Sequence, residues 1–244
     1  MASDEFTKMG EKSMGTKMKL NSVLLPLVIA LMALPARAVL IVDGGFESLN
    51  VVPLSSIVTP LTPGRWGVEN ATRVQSHPSG VMPKEGNWML KMDDDGLTYT
   101  QAFQFVDLRL LDPTHTILKV EAWYNSNAPA AFVVLALNYF KTANSWGNEN
   151  ETIRDVRVMT LDNDVTTWQG LFFPSSIPSF GGQKAEWVGV EVAFRDQDIR
   201  PDFSGFVDQV SLVSAVPEPA SILVLGGGLG AVFLRRRRKM THSD

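Results

Sequence analysis

Between residues 39 and 214 the chain repeats one pattern: short runs rich in Val, Phe, Trp, Tyr and Thr, separated by clusters of Gly, Pro, Asn and Asp. No stretch there holds a 3.6-residue apolar period long enough for a helix, so the pattern predicts strands and turns. The clearest strand is Trp187–Arg195. Val188, Val190, Val192 and Phe194 take one face, and Trp187, Gly189, Glu191, Ala193 and Arg195 the other, so one face is core. Leu118, Val120, Ala122 and Tyr124 oppose Lys119, Glu121 and Trp123 in the same way. Further strands are predicted over 99–106, 131–139, 156–161 and 168–173, with turn chemistry at 93–96, 125–129, 162–164 and 180–182. Residues 55–63 and 144–151 lack alternation and read as surface loops. About eight to ten strands without an internal repeat fit an all-β, two-sheet sandwich.

The two ends follow different rules. Lys17 and Lys19 precede an apolar run, Val23 to Leu34, which the small-residue triplet Ala36-Arg37-Ala38 follows at once. Those are the three parts of a secretory signal, too short to span a bilayer, with cleavage expected after Ala38 by a signal peptidase of the secretion machinery. The preceding polar stretch is long for such a signal, so Met14 or Met18 is an alternative start. At the other end Val216, Pro217, Glu218, Pro219, Ala220 and Ser221 lead into a glycine-rich apolar run, Ile222 to Leu234. Arg235, Arg236, Arg237, Arg238 and Lys239 then form a cluster that stops translocation and stays cytoplasmic. As a single membrane helix, Ala220–Leu234 would reach about 22 Å, short of the roughly 30 Å hydrocarbon core, which makes a weak anchor. The prolines around Glu218 leave an extended segment before it.

The expected organisation is therefore a leader over 1–38, a sandwich over 39–214 and a tail over 215–239. Residues 39–216 carry 12 Lys and Arg against 21 Asp and Glu, a net −9, whereas the whole chain is −4. That acidity disfavours nucleic acid and anionic surfaces as partners. The chain has no cysteine, which excludes disulfides, thiolate metal sites and a cysteine nucleophile.

Among polar residues Asp208 is the most informative. Alternation puts it on the face of Val210 and Leu212, where a carboxylate needs a partner: a cation, a backbone cap, or an arginine such as Arg65 or Arg195. Asp93–Asp95 reads as a solvated turn, since Gln104 stands where a helical calcium loop would place its last ligand. His77 and His115 have no second histidine at ligand spacing. No catalytic triad, carboxylate pair or phosphate loop stands out, so a non-enzyme is expected. The six tryptophans are the other signal, because exposed aromatic faces stack on sugar rings. Trp66, Trp88 and Trp168 begin strands and are expected in the core. Trp123 and Trp187 fall on the non-core faces of their strands and Trp146 in a polar loop. These three, with Tyr124, are the candidate glycan-binding residues, unless each folds back over a sheet edge.

Two resemblances add to this. Pro217-Glu218-Pro219, the hydrophobic segment and the arginine cluster, in that order, resemble the PEP-CTERM sorting signal. The resemblance implies an exosortase-like sorting enzyme as partner, and delivery to the envelope or extracellular matrix of a Gram-negative bacterium that makes exopolysaccharide. An ordinary uncleaved C-terminal anchor is the alternative. Asp43-Gly44-Gly45-Phe46-Glu47 and Phe206–Leu212 resemble the opening and closing strands of galactose-binding-like jelly rolls, with Gly64-Arg65-Trp66 and the strand holding Gln101 between them. That resemblance implies a jelly-roll topology and a structural calcium held by Glu47 and Asp208. The expected function is a non-enzymatic, sorted envelope or matrix protein of an exopolysaccharide biofilm. The alternatives are a carbohydrate-binding module and a secreted hydrolase.

Overall fold

The structure is a computed structural model that describes residues 39–48, 51–93, 100–127, 131–162, 164–195 and 204–215. The leader, the sorting segment Val216–Ser221 and the cluster Arg235–Lys239 lie outside the described residues. The alternating segments form strands β1 (Val51–Pro53), β2 (Trp66–Glu69), β3 (Ala71–Val74), β4 (Met89–Asp93), β5 (Thr100–Asp107), β6 (Ile117–Ser126) and β7 (Phe132–Phe140). There follow β8 (Thr152–Thr160), β9 (Gln169–Ser176), β10 (Ser179–Phe180), β11 (Gln183–Lys184), β12 (Trp187–Arg195) and β13 (Ser204–Ala215). The described chain folds as a jelly-roll sandwich of a six-stranded sheet, β1-β2-β5-β12-β7-β8, and a five-stranded sheet, β3-β4-β13-β6-β9, with β10 and β11 pairing apart. Strand β12 keeps the limits that alternation predicts, while β8 begins at Thr152, four residues early.

The main core lies between the sheets. Val188, Val190, Val192 and Phe194 of β12 and Val133, Leu135, Leu137 and Tyr139 of β7 pack with Leu118, Val120, Ala122 and Tyr124 of β6. Each strand sends alternate residues to one side, so a period-two sequence becomes one continuous apolar layer. Trp66, fully buried, closes one end: its ring lies 5.1 Å from Phe46 and its Nε1 donates to the Asp43 carbonyl at 3.1 Å.

A second apolar layer covers the outer face of the six-stranded sheet and corrects two expectations. Residues 54–61 are not a mere surface loop, because Leu54, Ile57 and Leu61 are buried against Phe103, Phe105, Phe140 and Trp187. Trp187 is thus on the non-core face, as alternation requires, yet almost fully buried beneath this cover. Trp146 joins the same layer, 5.3, 5.5 and 5.8 Å from Phe103, Phe105 and Phe140.

The last strand holds the third correction. Between Asp208 and Ser211 its register with β6 shifts, and Gln209 takes a left-handed φ of 52°. This β-bulge inverts the alternation. Val207 faces the main core, Phe206 packs on the other side with Val81 and Met89, and after the bulge Val210 and Leu212 face the core again. Asp208 therefore shares the outer face of Phe206, not the face of Val210. Replacing Leu135, which is fully buried mid-strand in β7, by alanine is expected to cost about 3 kcal/mol, read as a lowered urea midpoint with an unchanged slope.

Candidate functional site

Asp208 is fully buried, and its partners are backbone amides. Its Oδ2 accepts from Lys84 N at 2.8 Å and Glu85 N at 3.2 Å, and its Oδ1 from Gln209 N at 2.7 Å. The same loop serves Glu47, whose Oε1 accepts from Asn87 N at 2.8 Å and Trp88 N at 3.0 Å. Between the two amide pairs stands Gly86 at φ 69°, a left-handed residue that lets the loop arch over both carboxylates. A side chain there would meet Glu47 Oε1. Arg73 ties the arch to the N-terminal segment, its Nη2 donating to the Glu47 carbonyl at 2.7 Å while its guanidinium lies 3.8 Å from the Trp88 ring centroid.

The two carboxyls titrate apart. Amide hydrogen bonds, that of Asn87 foremost, hold Glu47 below the usual carboxylate range. Burial pushes Asp208 up to about 6, the Glu47 charge adds to the rise, and the three amides oppose it. Both Asp208 oxygens and Glu47 Oε1 are thus met by backbone amides, and among the described residues no group of three or more His, Asp or Glu side chains is placed to hold a metal ion.

On the outer face of the six-stranded sheet the register sets side chains in rows. Glu69, Gln101, Ala193 and Val134 form one row, Gly67, Phe103, Glu191 and Ala136 the next, and Phe105, Gly189, Asn138 and Arg154 a third. Glu191, with only 4% of its side chain exposed, accepts from Arg154 Nη2 at 2.7 Å and from Asn138 Nδ2 at 2.7 Å. Beside these rows an open groove of about 460 Å³ is lined by Leu54, Val58, Glu69, Gln101 and Trp146. Gln101 Nε2 donates to Glu69 Oε2 at 2.7 Å, which fixes an amide and a carboxylate in the lining they share with Trp146. Gln101, Glu69, Glu191, Asn138 and Arg154 were not among the sequence candidates. The readable signal was Glu191, a lone carboxylate between Gly189 and Ala193 on the non-core face of a strand.

The aromatic candidates separate. Trp146 lines the groove. Tyr124 is a correction: it is fully buried in the main core, its hydroxyl donating to the Val134 carbonyl at 3.0 Å and its ring 5.6 Å from Phe194. Trp187 is the second correction, buried as described above. Trp123 is half-buried on the outer face of the five-stranded sheet, where its ring lies over Gly170 and Lys84 Nζ stands 4.1 Å from its centroid. Its Nε1 donates to Glu121 Oε1 at 2.8 Å, so its position is already fixed by the protein. Trp88 and Trp168 are not core residues either; both are part-exposed, and Trp168 Nε1 donates to the Met82 carbonyl at 3.1 Å. Among the described residues no helix is long and apolar enough to cross a membrane.

The PEP-CTERM protein-sorting motif matches residues 215–239, so this jelly-roll chain carries that motif directly after β13. No curated protein matches the sequence. Among solved structures, TmCBM61 in complex with β-1,4-galactotriose is 14% identical, covering 73% of this chain and 99% of its own, with a TM-score of 0.44. The CBM22-1 xylan-binding domain of Paenibacillus barcinonensis Xyn10C is 9% identical, covering 61% and 85%, with a TM-score of 0.41. The CBM22-1 and GH10 modules of Clostridium thermocellum xylanase 10B, complexed with xylohexaose, are 9% identical over 62% of this chain and 26% of that one, with a TM-score of 0.43.

Asp208 generates a pH test. Its folded pKa lies above the unfolded value, so in metal-free buffer its contribution to stability is fully present below about pH 4 and is lost as pH rises to about 6. The wild-type minus Asp208→Asn difference in unfolding free energy is expected to fall by roughly 2–3 kcal/mol across that window. A flat difference would mean that Asp208 is not held protonated by its burial.

Proposed function

We propose that this is an exported protein whose sandwich binds an extracellular polysaccharide, without cleaving it, and whose tail hands it to an exosortase-like enzyme for delivery to the envelope or matrix. The groove carries the binding reading. Its volume lies in the range of small-ligand sites, and it pairs an aromatic side chain, Trp146, with a preset amide and carboxylate, Gln101 and Glu69. A sugar ring needs both: an aromatic face for its C–H groups, and oriented donors and acceptors for its hydroxyls. Glycosidase chemistry asks for two facing carboxyl groups, and among the described residues lining this groove Glu69 is the only one. The matrix assignment and the exosortase partner rest on the sorting motif at 215–239. A calcium held by Glu47 and Asp208 would serve the fold rather than the ligand; millimolar calcium is then expected to raise the melting temperature of the wild type and not of Asp208→Asn.

Affinity electrophoresis of the full chain through gels containing exopolysaccharide purified from the producing cells tests the binding reading. Wild type is expected to be retarded, and Gln101→Ala, a surface change that leaves the core intact, to bind at least tenfold more weakly, about 1.4 kcal/mol. Unretarded wild type, or equal retardation of Gln101→Ala, would remove the groove as the binding site.

A further inference from the structure

The six-stranded sheet ends on β1 and β8, and the five-stranded sheet on β3 and β9. Three of these edges are blunted. Strand β1 has three residues and closes on Pro53, β3 has four, and β9 carries Pro174. Strand β8 has nine residues without proline, glycine or lysine, and pairs with β7 from end to end with no shift of register. Its phase is fixed at both ends: Lys141 N donates to the Glu151 carbonyl, and Leu161 N to the Ala131 carbonyl. The odd-numbered residues of β8 therefore bond β7, and the N–H and C=O groups of Arg154, Val156 and Val158 point out of the sheet. Among the described residues no strand lies on that side. The Val156 carbonyl is met instead by Arg157 Nη1, its own neighbour, at 2.8 Å. Ile153 and Val158 are exposed along the same edge.

We infer that β8 pairs with β8 of a second copy of this chain, antiparallel and about a two-fold axis at Val156. The sequence suits that register. Across the axis Thr152 meets Thr160, Ile153 meets Met159 and Asp155 meets Arg157. Val156 faces its own counterpart and Arg154 faces Val158, with the outward backbone groups of each bonded across. The Arg154 charge is already taken by Glu191 at 2.7 Å. Asp155 and Arg157, paired within one chain at 2.9 Å, fall at the non-hydrogen-bonded positions where cross-strand side chains come closest. Moving the axis one residue, to Asp155 or to Arg157, would set like charges face to face. That self-complementarity favours a second copy over an unrelated strand. The two-fold stands perpendicular to the sheet, so the joined six-stranded sheets present their outer faces on one side. Resting on the binding reading above, two grooves then engage one polymer together, and the binding of one raises the local concentration seen by the other.

Sedimentation equilibrium of the purified full chain at micromolar concentrations, in a density-matched non-ionic detergent, tests the pairing. Wild type is expected to be dimeric. Val156→Pro removes an outward amide at no cost in bonds to β7, so the folded variant is expected to dimerise at least tenfold more weakly. Asp155→Arg, which sets arginine opposite Arg157 of the second copy, is expected to be monomeric, and Asp155→Arg combined with Arg157→Asp to regain the dimer. Monomeric wild type, or a dimer that both single variants leave unchanged, would overturn the pairing. If Val156→Pro does not fold, the charge exchange decides: loss followed by rescue supports the pairing, and failure of either overturns it. A dimer that exopolysaccharide gels do not retard would sink the binding reading alone, and a retarded monomer the pairing alone.

Discussion

One extra residue in the last strand sets the arrangement around it. The bulge at Gln209 lets β13 serve the main core with Val207 before it and with Val210 and Leu212 after it, while Asp208 turns to the outer face. Without it, either Asp208 would enter the apolar layer or Val210 would leave it. Turned outward, Asp208 becomes the acceptor that draws down the loop at 84–88, and that loop in turn captures Glu47 at the end of the N-terminal segment. Just beyond the bulge Val210 N donates to the Gly44 carbonyl and the Leu212 carbonyl accepts from Leu40 N, so the first segment of the sandwich is fastened to the last strand after the kink.

The six-stranded sheet obeys a different constraint. With no cysteine available, cohesion comes from burial, and the sandwich has two apolar layers rather than one. The cover formed by Leu54, Ile57, Leu61 and Trp146 over Phe103, Phe105, Phe140 and Trp187 buries aromatic area that a simple sandwich leaves in water. Where that cover stops, the sheet face changes character. Small residues, Ala193, Ala136 and Gly189, alternate with the paired polar groups Glu191, Asn138 and Arg154, and the groove opens beside them. The edge of the hydrophobic cover thus locates the groove.

Much of the fold could be read from the sequence because a period of two is a direct imprint of a pleated strand. Trp187–Arg195 was legible to the residue, and Leu118 to Tyr124 gave the correct faces. The errors share a cause: alternation tells which side a residue faces, not what covers that side. Trp187 was placed on the correct face and then buried by residues 54–61, whose apolar positions show no period in the sequence. Tyr124 was on the core face throughout, and its hydroxyl found a carbonyl inside. Asp208 failed differently, because a bulge breaks the period and no local composition around Gln209 announces it. The groove was half legible. Trp146 stood out as an aromatic in a polar loop, whereas Glu69 and Gln101, adjacent across β2 and β5, are ordinary polar residues until the register joins them.

The ladders of this sandwich are long in sequence as well as in space. Thr100 meets Phe194, and β13, the last of the described strands to leave the ribosome, lies between β4 and β6. Contacts of such separation form slowly, because the loops they close must first be ordered. A chain built this way cannot close its five-stranded sheet until nearly all of it has been synthesised. Closure of that sheet is therefore among the last acts of folding, because its middle strand is the last described part of the chain to arrive.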